Sequence, residues 1–208
     1  RGIAKGKLED YRGAIADFNK VIKLAPNDET TYYNRGIANL DLKDYLDAIT
    51  DFNKVIELNN NFADAYNGRG IAKGKLLDHR GAIADFNKAI ELNPNFAGDY
   101  HNRGVAKGKL KDYRGAIADY DQAIELNPND ETTYYNRGVA KRKLEDHRGA
   151  IADFSKAIEM NNNFADSYYA RGLSRIVLGQ KDEGCVDLSK AGELGYYKAY
   201  DMIKEYCN

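Results

Sequence analysis

The 34-residue stretch Ala63–Phe96 recurs with small changes from one end of the chain to the other, and that period excludes most folds. A unit of this length, built from two helix-like halves, cannot close a core alone. It buries its apolar side only against neighbouring copies, so a stacked array is expected. With Ala63 as position 1, whole copies run 29–62, 63–96, 97–130, 131–164 and 165–198. Residues 1–28 supply positions 7 to 34 of an earlier copy, which makes Arg1 a start inside a repeat, and 199–208 follow as a short extra helix. The 208 residues read as one repeat domain.

Each copy predicts two helices. The first carries Tyr66, Gly70, Ala72 and Leu76 in the type copy. Asp78 then suits the N-cap of the second, because its carboxylate can accept from free backbone N–H groups; Asp10, Asp44, Asp112 and Asp146 take the same place. Ala82, Ile83, Phe86, Ala89, Ile90 and Leu92 follow at spacings of three and four, one face of a helix. Pro26, Pro94 and Pro128 all fall where the copy ends and a helix has to stop.

Position 8 is glycine in every copy (Gly2, Gly36, Gly70, Gly104, Gly138, Gly172). Position 20 is alanine until Gly184, and position 24 is large: Phe18, Phe52, Phe86, Tyr120, Phe154, Leu188. Small residues facing a ring let paired helices approach without voids. In period, small residues and terminator, the chain resembles the tetratricopeptide repeats over essentially its whole length, on Tyr66, Gly70, Ala82, Phe86, Ala89 and Pro94 and their equivalents. The resemblance implies an all-α fold, a right-handed α-solenoid of stacked antiparallel helix pairs with the first helices lining a concave face. It also implies peptide or protein binding there and no catalysis.

A second period lies above the first. Asn27–Gly36 repeats unchanged at Asn129–Gly138 and Asn59–Asp64 at Asn161–Asp166, both offsets being 102 residues, three copies. A three-copy block was duplicated, so similar surfaces occur twice.

Arginine at position 7 accompanies aspartate at position 23 in every copy: Arg1/Asp17, Arg35/Asp51, Arg69/Asp85, Arg103/Asp119, Arg137/Asp153, Arg171/Asp187. An ion pair tying the two helices of a copy is the expectation, since buried arginines are normally paired; an arginine ladder for an acidic ligand is the alternative. Lysines at positions 11 and 13 (Lys5, Lys7, Lys73, Lys75, Lys107, Lys109, Lys141, Lys143) fall at the end of the first helix, where they complement its dipole or form a basic lane.

The candidate groove comprises position 9, apolar throughout (Ile37, Ile71, Val105, Val139, Leu173, with Ile3), and position 5 (Tyr33, Asn67, His101, Tyr135, Tyr169). Mid-helix Gly6, Gly74 and Gly108 point to close approach of something. Two readings stand: these side chains receive a peptide, or they pack between neighbouring first helices. The tetratricopeptide subclass that grips chaperone-tail carboxylates is excluded. Although Asn34/Arg35, Asn102/Arg103 and Asn136/Arg137 match it, position 9 is apolar where an asparagine is needed. The basic residues required in the next copy are replaced by Asp64 and Gly68, by Thr132 and Asn136, and by Asp166 and Ala170.

Basic and acidic residues balance at 31 and 32, which argues against nucleic acid or a membrane surface, and no apolar run approaches a membrane span. His79, His101 and His147 have no metal or nucleophile partner at a recognisable spacing, so neither cofactor nor catalysis is expected. At the C-terminal end Ala199, Met202, Ile203 and Tyr206 form an apolar stripe for a capping helix, with Gly195 permitting the break before it. Docking brings Cys207 near Cys185, and a reduced, buried pair is expected. The function expected is a protein- or peptide-binding scaffold with an unidentified partner; the alternative is a structural or self-assembly module, for which the truncated N-terminal edge would serve.

Overall fold

The computed structural model describes residues 10–207. Expectations resting on Arg1, Gly2, Ile3, Lys5, Gly6 and Lys7, and on the N-terminal edge they form, lie outside the described residues. Those described contain helices and no strand. In chain order the helices are α1 (Tyr11–Leu24), α2 (Glu29–Asp41), α3 (Tyr45–Leu58), α4 (Ala63–Lys75), α5 (His79–Leu92), α6 (Ala97–Lys109), α7 (Tyr113–Leu126), α8 (Glu131–Lys143), α9 (His147–Met160), α10 (Ala165–Val177), α11 (Lys181–Glu193) and α12 (Lys198–Tyr206). The fold is an all-α helical repeat. The chain divides into two compact units, Arg1–Ala106 and Lys107–Asn208. In the first, α2 packs on α3 and α4 on α5; in the second, α8 packs on α9, α10 on α11 and α11 on α12.

The turn inside each pair is built the same way. Position 15 takes a left-handed backbone: Lys43, Leu77, Lys111 and Glu145 at φ 64–66°, and Gly179 at 79°. The next residue's N–H then bonds back to the carbonyl of position 11, as from Asp78 to Lys73 at 3.0 Å and Asp146 to Lys141 at 3.0 Å. This closes a Schellman motif, whose paired backbone bonds offset the roughly 1–2 kcal/mol that a left-handed non-glycine residue costs. Between copies the asparagine of the terminator makes the turn. Asn59, Asn93, Asn127 and Asn161 each accept from the N–H two residues on.

The N-caps separate the copies. Asp10, Asp78, Asp112 and Asp146 accept from the N–H of Gly13, Gly81, Gly115 and Gly149, three residues on. Asp44, expected to do the same, makes no side-chain cap bond. The residue three on is Asp47 where those four copies have glycine. A Cβ at Gly81 would stand 2.1 Å from the capping Asp78 oxygen, so a side chain there displaces the cap. Asp78→Ala should therefore cost about 1 kcal/mol, and Asp44→Ala only a few tenths. Chemical denaturation of the two variants checks this; equal losses would show that the cap bond contributes nothing.

The cores form where small meets large. Phe52 is fully buried with Ala48, Val55, Ala65 and Ala72, and Phe154 with Ala150 and Ala170. In the last copy Leu188 and Ala191 receive Ala199 of α12, with Met202 and Ile203 packed alongside. Gly195 has φ 92°, the left-handed break expected before this helix. Tyr206, expected on its buried stripe, is 40% exposed. The stripe ends one turn earlier because Cys207, rather than Tyr206, lies against α11. Cys185 and Cys207 are joined as a disulfide with Cα atoms 5.8 Å apart, a correction to the reduced pair expected. The docking of α12 sets that separation within bonding range, which sequence spacing does not reveal.

Candidate functional site

The most regular polar feature is an ion-pair unit repeated along both units. Four expected own-copy pairs form: Arg35–Asp51, Arg69–Asp85, Arg137–Asp153 and Arg171–Asp187, with Nη2–Oδ1 distances of 2.5, 2.5, 2.6 and 2.7 Å. Each Nε also donates to the same carboxylate, making a two-point contact. Arg103 and Asp119 fall in different units. The remaining Nη1 reaches the second helix of the preceding copy, at Asn19, Asn53, Asn87, Asp121 and Ser155. Each guanidinium also lies 5.4–5.5 Å from a tyrosine ring on its own helix, at Tyr32, Tyr66, Tyr100, Tyr134 and Tyr168. One arginine thus ties three helices. The aspartates are 2–5% exposed and the arginines 14–21%, so this is structural glue rather than a ladder presented to an acidic ligand.

The same aspartate takes a second cation. Lys73, Lys107, Lys141 and Arg175 at position 11 bind Asp85, Asp119, Asp153 and Asp187 at 2.7–2.8 Å. The ion pair adds to the helix-dipole reading of position 11, whose lysines lie in the last turn of their helices. Positions 7 and 11 lie one turn apart on one helix face, so both cations meet the one buried carboxylate. Lys75, Lys109 and Lys143 at position 13 are exposed.

The candidate groove residues lie on first helices that adjoin within each unit, α2 beside α4 and α8 beside α10. Every one of them (Tyr33, Ile37, Asn67, Ile71, His101, Val105, Tyr135, Val139, Tyr169 and Leu173) is half-buried. Much of position 5 is committed internally. Tyr33 packs on Phe52 and Phe62 at centroid distances of 6.0 and 5.1 Å, and Tyr135 on Phe154 and Phe164 at 5.8 and 5.0 Å. Tyr169 lies 4.5 Å from Tyr196. At position 9, Ile37, Ile71, Val139 and Leu173 each pack on the core of their own copy.

Asn67 donates to Asp99, a residue that sequence reasoning missed. Position 3 is otherwise small, being Thr31, Ala65, Thr133 and Ser167; the lone carboxylate in that column was the available signal. Asp99 is 2% exposed. Burial pushes its carboxyl up to about 6; the Asn67 hydrogen bond opposes this and the Asp64 charge adds to it. A raised folded-state pKa means that the native state holds the proton more tightly than the unfolded chain. Stability from this group is present below about pH 4 and lost as pH rises through about 6. With solvent screening allowed for, the loss is about 1–2 kcal/mol. Asp99→Asn keeps the acceptor oxygen and removes the charge. It should gain about 1 kcal/mol at pH 7 relative to pH 4; identical pH profiles for the two proteins would exclude it.

Among the described residues no group of three or more His, Cys, Asp and Glu is placed to hold a metal ion, and no helix is long and apolar enough to cross a membrane. The arrangement is that of a helical repeat protein. Sequence profiles of the tetratricopeptide repeat match residues 30–62, 63–96 and 132–164, with further tetratricopeptide profiles matching 1–28 and 108–144. The chain belongs to the tetratricopeptide repeat family. No curated protein matches the sequence. Among solved structures it is similar to YrrB, described as a tetratricopeptide repeat protein with an unusual peptide-binding site, at TM-score 0.76 and 22% identity over 90% of this chain and 97% of that one. It is similar to MamA at TM-score 0.73 and 29% identity, over 79% and 96% of the two chains. It is also similar to the C-terminal part of a repeat protein from Cytophaga hutchinsonii, at TM-score 0.79 and 18% identity over 99% and 86%. The first and third of these likenesses speak to fold alone.

Proposed function

We propose that this protein is a non-catalytic scaffold that binds a peptide or protein on its first-helix faces. The observation that carries the reading is the half-buried apolar side chain at position 9 of adjoining first helices, Ile37 and Ile71 on α2 and α4 and Val139 and Leu173 on α8 and α10. Each packs on the core of its own copy and keeps part of its surface exposed, a layout that suits an apolar peptide anchor. YrrB, with the same fold, is described as having a peptide-binding site, which supports the class of ligand. The balanced charge of the chain favours an uncharged or mixed sequence over a strongly acidic one.

The test is selection of binding peptides from a displayed random library, followed by measurement on Ile71→Asp, Val105→Asp and Val139→Asp combined. Binding should fall below detection with helicity by circular dichroism unchanged. Unchanged binding would move the contact surface to the second helices or the array edges. No selected peptide, together with concentration-dependent self-association, would favour a structural module instead.

A further inference from the structure

Copy 29–62 differs from copies 63–96, 97–130 and 131–164 at three positions that meet in space. In 29–62, position 11 is Asn39 where its sister copies carry Lys73, Lys107, Lys141 and Arg175. Position 19 is Asp47 where four copies have glycine, and position 22 is Thr50 where those same four have alanine. All three line a pocket of about 260 Å³ between α1, α2 and α3, together with Asn19, Arg35 and Asp51. We propose that this pocket binds a primary ammonium group.

The sister copies show what belongs there. Each places a side-chain cation 2.7–2.8 Å from the Oδ2 of the aspartate equivalent to Asp51. In this copy Asn39, two bonds short of that reach, donates to Asp51 Oδ2 at 3.0 Å and leaves open the volume that a lysine stem and ammonium fill elsewhere. The charge balance changes in the same direction. Arg69, Lys73 and Asp85 carry one net positive charge, whereas Arg35, Asp47 and Asp51 carry one net negative charge. Asp51, 2% exposed, has one formal cation as partner where Asp85 has two. Asp47 stands where the four capped copies have glycine, and Asp44 makes no side-chain cap bond. Asp47 and the Thr50 hydroxyl oxygen offer acceptors to an ammonium, while Asp51, whose oxygens accept from Arg35 and Asn39, contributes its charge at the pocket wall. The site is independent of the first-helix apolar face, so either reading can fail alone.

The shared chemistry of the ligand is an ammonium on an unbranched aliphatic stem, whether a lysine side chain or a free amine. The experiment is an NMR titration of the whole chain, following the amides of Asn39, Thr50 and Asp51. The probes are the peptide acetyl-Gly-Lys-Gly-amide and n-pentylamine. Saturable one-to-one shifts are expected. Asn39→Lys, which supplies the cation the sister copies already carry, and Asp47→Gly should each weaken binding by about tenfold or more. The peptide acetylated on its lysine should not bind. Tighter binding of the peptide than of pentylamine assigns the site to a polypeptide, and equal binding assigns it to free amines. Absence of saturable shifts in the wild type, or undiminished binding by Asn39→Lys with an otherwise native spectrum, overturns the proposal.

Discussion

Asp85→Ala is expected to destabilise the protein by about 3 kcal/mol, the lower end of the cost of removing one partner of a buried ionic group. Asp85 is 3% exposed and accepts from Arg69 Nε at 3.0 Å, from Arg69 Nη2 at 2.5 Å and from Lys73 Nζ at 2.7 Å. Its loss leaves two cations facing each other without an anion. Their side chains are 18% and 24% exposed, and partial access to water keeps the cost from the upper end of the range. Asp51→Ala isolates only Arg35, with Asn39 neutral beside it, and should cost about 1 kcal/mol less. Replacing Arg69, Lys73 and Asp85 together by leucine should be neutral within about 1 kcal/mol, because the desolvation penalty disappears with the charges. Urea unfolding of the three variants reads the differences. Equal losses at Asp51 and Asp85 would show that the second cation contributes no repulsion when the carboxylate is gone.

Phe154→Ala should cost about 3–5 kcal/mol, as for a fully buried ring truncated in a core that cannot collapse. The ring is 0% exposed and is held between Ala150, Ala170 and the backbone of Gly138. A Cβ on Gly138 would sit 2.7 Å from Phe154 Cε1, so Gly138→Ala forces the ring aside and should cost about 1–3 kcal/mol. The two positions are therefore coupled. Gly138→Ala with Phe154→Leu, which follows the Leu188 of the last copy, should lose less than the sum of the two single changes. Strict additivity in a double-mutant cycle would separate the glycine from the ring.

The sequence by itself determined the architecture of each copy. A 34-residue period, glycine at position 8 facing a ring at position 24 and a terminator at the copy's end are local or one-copy relations, and local relations survive in one dimension. The Arg69–Asp85 pair was legible for the same reason, since both residues belong to one helix pair and recur with it. The relations the tertiary structure decided depend on which neighbour fills a given space. Arg69 also reaches Asn53 in the preceding copy, a contact that depends on the stacking register. Tyr33 and Tyr135 spend much of their surface on Phe62 and Phe164, so position 5 is less available than its outward place in the period implies. The disulfide between Cys185 and Cys207 followed from the docking of α12 and not from a separation of 22 residues. The missing cap at Asp44 goes with Asp47 at a position where, in the capped copies, a Cβ would come about 2 Å from the capping oxygen, a relation that only coordinates express. Asn39, Asp47 and Thr50 are unremarkable one at a time along the chain. They become a pocket because the helix pair brings positions 11, 19 and 22 around one buried carboxylate.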